Sequence, residues 1–267
     1  MGSRASLARV SYEQAADRFL NALDATLPPD LVRGCYVVGS AALGSWRPGR
    51  SDLDVLTVLD RALTEAELDA VEAMHSELES TRADGPHSDG HYVTPDLLGA
   101  RTDAKVPAAI DGVLNRAGHA TDPVLWALLD RHGITLRGTK ASELGAAPDP
   151  DWLREWNLGN LESYWRSHLG YRPMLTERDP DSPIDPYLLA WEVTGPGRLH
   201  ATIATGDIIS KEAAADYTAE LFPQYADLCA RAKAYRLGDE SVTCTAAEAL
   251  RVLDLVEAVC DSAAELV

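Results

Sequence analysis

The spacing of apolar residues predicts alternating helices and strands in the first half of the chain. Residues 11–27 carry apolar side chains at helical spacing, and Pro28-Pro29 ends the helix that they predict. Short apolar runs over 35–38 and 52–59, without helical spacing, are typical of buried strands. Further predictions are a helix over 64–79, capped by Thr64 and Glu67, a strand over 89–94, a helix over 122–132 and a strand over 133–136. This order predicts an α+β domain built around a mixed sheet.

Beyond residue 150 the strand signal disappears and helical spacing dominates. The run 145–150, rich in Ala, Pro and Asp, is the predicted linker. Ser210 and Thr245 are suitable N-caps, and Gly206 and Gly238 stand where helices should end. The predicted helices cover 151–169, 187–205, 210–221, 224–237 and 245–266. We therefore predict a first domain over residues 1–150 and a C-terminal α-helical bundle domain over residues 151–267.

The net charge, the cysteines and the lengths of the apolar runs indicate which partners and which cellular location to expect. The 267 residues carry a net charge of -18, which repels nucleic acid and favours cationic partners. The four cysteines have no metal-binding or disulfide spacing, so reduced, buried thiols are expected. No apolar run has the length of a signal peptide core or a membrane span. We expect a cytoplasmic monomer with no nucleic-acid and no membrane partner.

The segment between residues 39 and 54 carries the clearest chemical signal. A strand runs into Gly39-Ser40, and Asp52-Leu53-Asp54 opens the next strand. Residues i and i+2 of a strand point to the same face, so the carboxylates of Asp52 and Asp54 project side by side. Such a pair is costly without a cation, and Mg²⁺ accepts carboxylate oxygens while leaving positions for substrate phosphates. The Gly-Ser turn offers N–H groups and a hydroxyl to a triphosphate. Each half of this pattern alone is common as a turn or strand edge, but together they indicate a nucleotide and metal site.

Gly39-Ser40 with Asp52-Leu53-Asp54 resembles the signature of the DNA polymerase β-type nucleotidyltransferase superfamily. The resemblance implies that Gly39 and Ser40 hold nucleotide phosphate and that Asp52 and Asp54 bind Mg²⁺. It also implies a mixed-sheet nucleotidyltransferase domain over residues 1–150. The reaction type is then nucleotidyl transfer, whereas the acceptor stays open.

The second half is similar to a narrower family, the aminoglycoside 3″-adenylyltransferases that modify streptomycin and spectinomycin. The similarity rests on the segment from Gly197-Arg198 through Thr205-Gly206 and Lys211 to Asp216-Tyr217, then on Leu221-Phe222-Pro223 and on Tyr235 near Gly238. In that family the matching Arg, Lys and Tyr reach ATP across the cleft between the domains. The resemblance therefore assigns Arg198, Lys211 and Tyr235 to the co-substrate ATP. The alternative for Arg198 and Lys211 is an ordinary role as cations on a helix surface.

Two residues are candidates for the general base. The relatives carry a Glu on the strand after the second helix, and this chain has Asp89 there, with His91 next on the same face. Asp is one methylene shorter than Glu, whereas imidazole titrates near neutrality, so either Asp89 or His91 could accept the proton. Either could instead make a turn hydrogen bond at a loop edge.

The relatives recognise their antibiotic with a Trp and acidic residues of the helical domain. Trp165 falls where that Trp would lie, and the loop 171–186 carries four acidic residues, of which Asp185 is expected to bind the acceptor. An aromatic face and a carboxylate suit a cationic sugar. Trp165 could equally be a core aromatic, and the loop a solvated connection. Trp152, Trp156 and Trp191 are predicted to be core residues.

These observations predict a Mg²⁺-dependent enzyme that transfers AMP from ATP to a hydroxyl of an aminoglycoside-type antibiotic and releases pyrophosphate. Two alternatives stay open. One is a nucleotidyltransferase that acts on a different small molecule or on a protein. The other is a non-catalytic nucleotide-binding relative, against which the complete pair of motifs argues.

Overall fold

The computed structural model describes residues 10–83 and 85–266, and these divide into two compact units between Pro148 and Asp149. Residues 1–9, on which the expectation of no signal peptide partly rests, lie outside the described ranges. Across those ranges, none of the helices combines the length and the apolar composition that a membrane span requires.

The first unit has the predicted mixed sheet with helices. Its helices are α1 (Tyr12–Thr26), α2 (Gly39–Ala42), α3 (Glu65–Ser80) and α4 (Pro123–His132), with 3₁₀ turns at Pro95–Leu97 and Ala141–Glu143. Its strands are β1 (Val32–Val37), β2 (Leu53–Leu59), β3 (Ser88–Val93), β4 (Lys105–Ile110), β5 (Val113–Ala120) and β6 (Ile134–Arg137). They form one sheet in the order β5-β4-β3-β2-β1-β6, in which β2 and β3 are parallel and the other neighbours are antiparallel.

One face of this sheet is covered by α1 and α3. Leu53 and Val55 of β2 belong to the same apolar cluster as Phe19 of α1 and Val71 of α3. Because successive side chains of a strand alternate between faces, Asp54 is directed to the opposite face. The packing of α1 and α3 thus decides which face of the sheet is left for chemistry.

The hairpin of β4 and β5 was not predicted from the sequence. Apart from Leu114 and Gly118, β5 is exposed or polar along its length, so apolar alternation is too weak to indicate a strand. The local signal was the turn Asp111-Gly112, where both residues have positive φ, 51° and 73°. An Asp-Gly pair with this backbone is typical of a two-residue hairpin turn.

The second unit is the predicted helical bundle. Its helices are α5 (Pro150–Asn160), α6 (Arg172–Thr176), α7 (Pro186–Thr205), α8 (Lys211–Leu221), α9 (Ala226–Arg236) and α10 (Ala246–Ala264). A π-helical turn at Leu161–Trp165 and 3₁₀ turns at His168–Tyr171 and Pro223–Tyr225 complete it, with the short strands β7 (Pro183–Ile184) and β8 (Cys244–Thr245). The single helix predicted over 151–169 is therefore divided, because the backbone widens into a π turn at Leu161 and tightens again before α6.

The local signals at helix ends are confirmed. Thr64 and Glu67 form the predicted capping box at the start of α3. Ser210 and Thr245 accept hydrogen bonds from the backbone N–H groups of Ala213 and Glu248, as N-caps should. Gly206 ends α7 in a left-handed conformation, with φ of 78°. The four cysteines are free and buried, as expected.

Buried His75 should make the first unit sensitive to acid. Its Nε2 lies 2.8 Å from the Tyr92 hydroxyl, and burial lowers the pKa of His75 from 6.5 to about 4. A histidine with a lowered folded-state pKa stabilises the fold fully above pH 6.5, and that contribution is lost as the pH falls towards 4. We expect this to remove up to about 3 kcal/mol of the free energy of unfolding. Urea unfolding at pH 7, 6 and 5 measures it.

The matched variants are His75→Gln and His132→Gln. Removing the titrating group at position 75 should reduce the pH dependence between 6.5 and 5, with the remainder carried by His91, whose pKa burial also lowers to about 4. Replacement of exposed His132, in the last turn of α4, should leave the pH dependence unchanged. An equal pH slope in all three proteins would show that His75 does not carry the acid sensitivity.

Candidate active site

Gly39 and Asp54 are brought into contact by the pairing of β1 with β2. The backbone N–H of Val38 donates to the carbonyl oxygen of Asp54 at 3.0 Å, and the chain then turns at Gly39 with φ of 60°. A Cβ at Gly39 would lie only 1.9 Å from Oδ2 of Asp54. The carboxylate therefore lies directly against the turn, in a space that only glycine leaves open.

Ser40 follows in the same turn and is held by its backbone. Its carbonyl oxygen accepts hydrogen bonds from the backbone N–H of Ser45 at 2.9 Å and from the Ser45 hydroxyl at 3.1 Å. Within the described residues, the Ser40 hydroxyl is buried and has no hydrogen-bond partner. A buried hydroxyl without a partner is costly, so this Oγ is suited to bind a ligand oxygen.

Three carboxylates belong to the face of the sheet opposite α1 and α3. Asp52 immediately precedes β2 and Asp54 is its second residue, so the i, i+2 relation holds. Asp89 of β3 pairs with Asp54 in the parallel register, so it lies beside Asp54 on that face. The backbone N–H of Gly112 donates to Oδ1 of Asp89 at 2.9 Å, which ties this carboxylate to the hairpin turn. Burial raises the pKa of Asp89, and the charge of Asp52 adds to the effect.

His91 is two residues further along β3 and is half-buried. It pairs with Leu56 of β2 and with Ala108 of β4. Burial lowers the pKa of His91 to about 4, and His119 of β5 adds to the shift. The imidazole is therefore neutral at pH 7 and able to accept a proton.

The carboxylates suit a magnesium ion shared with a substrate. Within residues 10–83 and 85–266, no group of three or more His, Cys, Asp or Glu side chains is arranged to hold a metal by itself. Mg²⁺ is usually bound by one or two carboxylates together with substrate phosphates and water. Asp52 and Asp54 fit that role, because Asp54 lies against the turn that carries the unpartnered Ser40 hydroxyl.

In the second unit, Arg198 and Lys211 lie at the junction of α7 and α8. Nε of Arg198 donates to the carbonyl oxygen of Ile209 at 3.1 Å, two residues before Lys211 begins α8. Nζ of Lys211 lies 5.0 Å from the centroid of the Trp191 ring. Both predicted phosphate-binding cations thus make contacts that join α7 to the start of α8. Tyr235, on α9, is half-buried against the apolar cluster shared by α7, α9 and α10.

Trp165 packs in the core of the helical unit, and Asp185 caps a helix. Trp165 is 4% exposed and packs in a core cluster with Leu161 and Ile203, with its ring 5.6 Å from that of Trp191. Asp185 is the N-cap of α7 and accepts the backbone N–H of Tyr187 at 2.9 Å. These are the core and loop roles that the sequence left open, and a contribution of either residue to acceptor binding stays a prediction.

The sequence did not indicate that Trp191, Glu192 and His168 lie together beside a cavity of the helical unit. Trp191 packs against the core and also lines a cavity, and it stacks on Tyr187 at a centroid distance of 6.1 Å. Nδ1 of His168 lies 2.8 Å from Oε1 of buried Glu192. The pair Tyr187 and Trp191, four residues apart on α7, was the signal available, since such residues are neighbours on a helix.

Comparisons with known proteins match both units. Residues 17–87, which include the Gly-Ser and Asp-x-Asp segments, match the nucleotidyltransferase domain family. Residues 196–262, which include Arg198, Lys211 and Tyr235, match the aminoglycoside adenylyltransferase C-terminal domain family. None of the curated proteins compared with the chain matches it.

A solved structure has a similar fold over most of the chain. It is spectinomycin adenyltransferase AAD(9) from Enterococcus faecialis, with ATP and spectinomycin. The match has a TM-score of 0.70 at 15% sequence identity and covers 92% of this chain and 99% of that one. The predicted resemblance and fold class are confirmed. The chain is an adenylyltransferase-type enzyme that carries a nucleotidyltransferase domain followed by the C-terminal domain of the aminoglycoside adenylyltransferases.

Proposed function

We propose that this enzyme transfers AMP from ATP to a hydroxyl group of a cationic, aminoglycoside-type antibiotic such as streptomycin or spectinomycin. The observation that carries the proposal is the contact of the Asp54 carboxylate with the Gly39-Ser40 turn, beside Asp52 and Asp89. This arrangement combines two oxygen ligands for a divalent cation, a turn for phosphate and a third carboxylate in the adjacent strand.

The reaction is an in-line displacement at the α-phosphorus of ATP. The acceptor hydroxyl oxygen forms a bond to that phosphorus while the bond to the oxygen bridging the α- and β-phosphates breaks, and pyrophosphate leaves. The hydroxyl proton passes to a carboxylate oxygen of Asp89 or to a ring nitrogen of His91. We favour Asp89, because it lies beside Asp54 and burial raises its pKa towards a range useful for a base.

The remaining residues bind and orient the nucleotide. Asp52 and Asp54 would hold Mg²⁺, which offsets the negative charge of the phosphates when bound. The N–H groups of the Gly39 turn and the Ser40 hydroxyl would donate to phosphate oxygens. Arg198 and Lys211 would pair with the triphosphate, and Tyr235 would contribute to ATP binding, as the resemblance implies.

The net charge supports a cationic acceptor, and the thiols support a cytoplasmic location. A protein with a net charge of -18 attracts cationic compounds and repels nucleic acid. ATP as co-substrate and four free thiols fit a cytoplasmic enzyme, and we propose that it acts there as a monomer.

The test is a screen for AMP transfer across cationic antibiotics. The protein is incubated with Mg-ATP and streptomycin, spectinomycin or other aminoglycosides, and mass spectrometry detects an adenylylated product. Pyrophosphate release gives the rate. Binding of Mg-ATP without any product across the panel would remove the antibiotic as acceptor and favour a different small molecule or a protein.

Variants that remove the proton-accepting atom distinguish the two candidate bases. Asp89→Asn keeps an oxygen to accept the Gly112 N–H but cannot take a proton, so we expect kcat to fall by about 10²–10³-fold. His91→Gln should lower kcat by less than about tenfold, as expected of a residue that only packs beside the site.

The readout is kcat and KM for the best acceptor of the screen, together with the pH profile. An ionised base requires that activity falls at acidic pH, below the raised pKa of Asp89, and this limb should disappear in Asp89→Asn. The reverse pattern, with full activity in Asp89→Asn and its loss in His91→Gln, would assign the base to His91.

A further inference from the structure

An exposed ion pair and a buried ion pair both join α8 to α9 in the helical unit. In the exposed pair, Nζ of Lys233 lies 2.6 Å from Oδ2 of Asp216. One turn away along both helices, Nε of Arg236 lies 3.7 Å from Oε1 of Glu212, and these two residues are only 9% and 6% exposed. The buried pair lies at the end where α8 begins and α9 ends.

The same end of the two helices carries two of the predicted ATP-binding residues. Lys211 is the first residue of α8 and precedes Glu212, and Tyr235 precedes Arg236, the last residue of α9. Adjacent residues of a helix point about 100° apart, so Glu212 and Arg236 meet between the helices while Lys211 lies near the ring of Trp191. A change in the spacing of these helix ends therefore moves Lys211 relative to Tyr235.

The stability of the bundle does not by itself account for a buried ion pair. Taking two charges out of water has a free-energy cost that can exceed their attraction, and well-packed apolar side chains of similar volume are often as stabilising or more so. Apolar side chains slide past one another at little cost, whereas opposite charges in a buried setting attract strongly at short range. The pair of Glu212 and Arg236 therefore contributes a defined distance between the two helix ends.

We propose that the ion pair of Glu212 and Arg236 is a positioning element of the ATP site, which sets the distance between Lys211 and Tyr235. This inference rests on the proposed function, in which Lys211 and Tyr235 bind ATP. Glu212 and Arg236 act through the residue that precedes each of them, without touching the nucleotide. Because the pair orders both helix ends before ATP arrives, its loss should weaken ATP binding and leave acceptor binding unchanged.

The test is the binding of Mg-ATP to Glu212→Gln, measured by calorimetric titration of the full-length protein. The variant removes a negative charge beside Lys211, so electrostatics alone predicts that the triphosphate binds more tightly. A positioning role predicts the opposite, with binding at least fivefold weaker, a KM for ATP raised by a similar factor and an unchanged KM for the acceptor. A purely structural role would lower the free energy of unfolding and leave the affinity for ATP unchanged.

Asp216→Asn is the matched control, because it removes a carboxylate from the same helix and breaks the exposed pair with Lys233. It should bind Mg-ATP like the unaltered protein, since an exposed pair is screened by water. The double variant Glu212→Met/Arg236→Met keeps the net charge and decides the question if Glu212→Gln does not fold. Its free energy of unfolding should be equal or higher, whereas its binding of Mg-ATP should be at least fivefold weaker.

Lys211→Gln separates failure of this proposal from failure of the proposed function, and it should weaken Mg-ATP binding at least tenfold. If the unaltered protein does not bind Mg-ATP, or if Lys211→Gln binds it unchanged, the assignment of Lys211 to ATP fails and the positioning role fails with it. If Lys211→Gln weakens binding but Glu212→Gln and the double variant bind like the unaltered protein, only the positioning role is overturned. Tighter binding in Glu212→Gln would also overturn it.

Discussion

Replacement of Asp52 by Asn should reduce the rate of AMP transfer by about 10³-fold or more, equivalent to about 4 kcal/mol of transition-state stabilisation. The variant keeps the shape of the side chain and loses one of two charges that would hold Mg²⁺ against the triphosphate. The free energy of unfolding should stay the same or rise slightly, because the repulsion between adjacent carboxylates is relieved. Pyrophosphate release and urea unfolding measure the two quantities.

Asp103→Asn is the control for this variant. Asp103 is an exposed carboxylate in the loop before β4, away from the β2 and β3 ladder that carries Asp54 and Asp89. Its removal changes the net charge equally, so both rate and stability should remain unchanged. Turnover of Asp52→Asn close to that of Asp103→Asn would contradict a mechanism based on paired carboxylates. Asp52 is a cleaner choice than Asp54, whose carboxylate also supports the Gly39 turn.

The central strands β1 and β2 and the helix α3 were predictable from the sequence because their signals are local. Strands β1 and β2 contain short apolar runs bounded by turn residues, and α3 begins with a capping box that spans the four residues from Thr64 to Glu67. The hairpin of β4 and β5 was missed because β5, the edge strand of the sheet, is exposed along most of its length and carries little apolar pattern. This hairpin matters for the chemistry of the candidate site, because its turn at Gly112 donates a hydrogen bond to the Asp89 carboxylate.

The candidate site also has a part that the sequence predicts locally and a part that depends on packing between distant residues. The side-by-side relation of Asp52 and Asp54 follows from the period of a strand, so two residues suffice to predict it. The neighbouring position of Asp89 depends on the parallel register between β2 and β3, which is set by packing 35 residues apart in the chain. Glu192 and His168, 24 residues apart, meet only through the bundle, and no spacing rule could have paired them.

Gly39→Ala should lower the rate of AMP transfer by about 10²-fold, and Gly44→Ala should leave it nearly unchanged. Both glycines have left-handed backbones, with φ of 60° and 65°, so both alanine variants should lose about 1–2 kcal/mol of stability from backbone strain. A Cβ at Gly44 meets no atom within 4 Å, whereas a Cβ at Gly39 would lie 1.9 Å from Oδ2 of Asp54.

The comparison separates backbone strain from displacement of the carboxylate. Asp54 must move by on the order of 1 Å to accommodate the methyl group of Gly39→Ala, and misplacement of that size can cost about 10²-fold in rate. Thermal unfolding should therefore show similar losses in the two variants, while only Gly39→Ala loses pyrophosphate release. Equal activity in both, at equal stability, would mean that the contact between the Gly39 turn and Asp54 has no part in the reaction. Because the strain is shared and the contact is not, a difference in rate reports a disturbance at the Gly39 turn itself, where the Asp54 carboxylate and the nucleotide phosphate would meet.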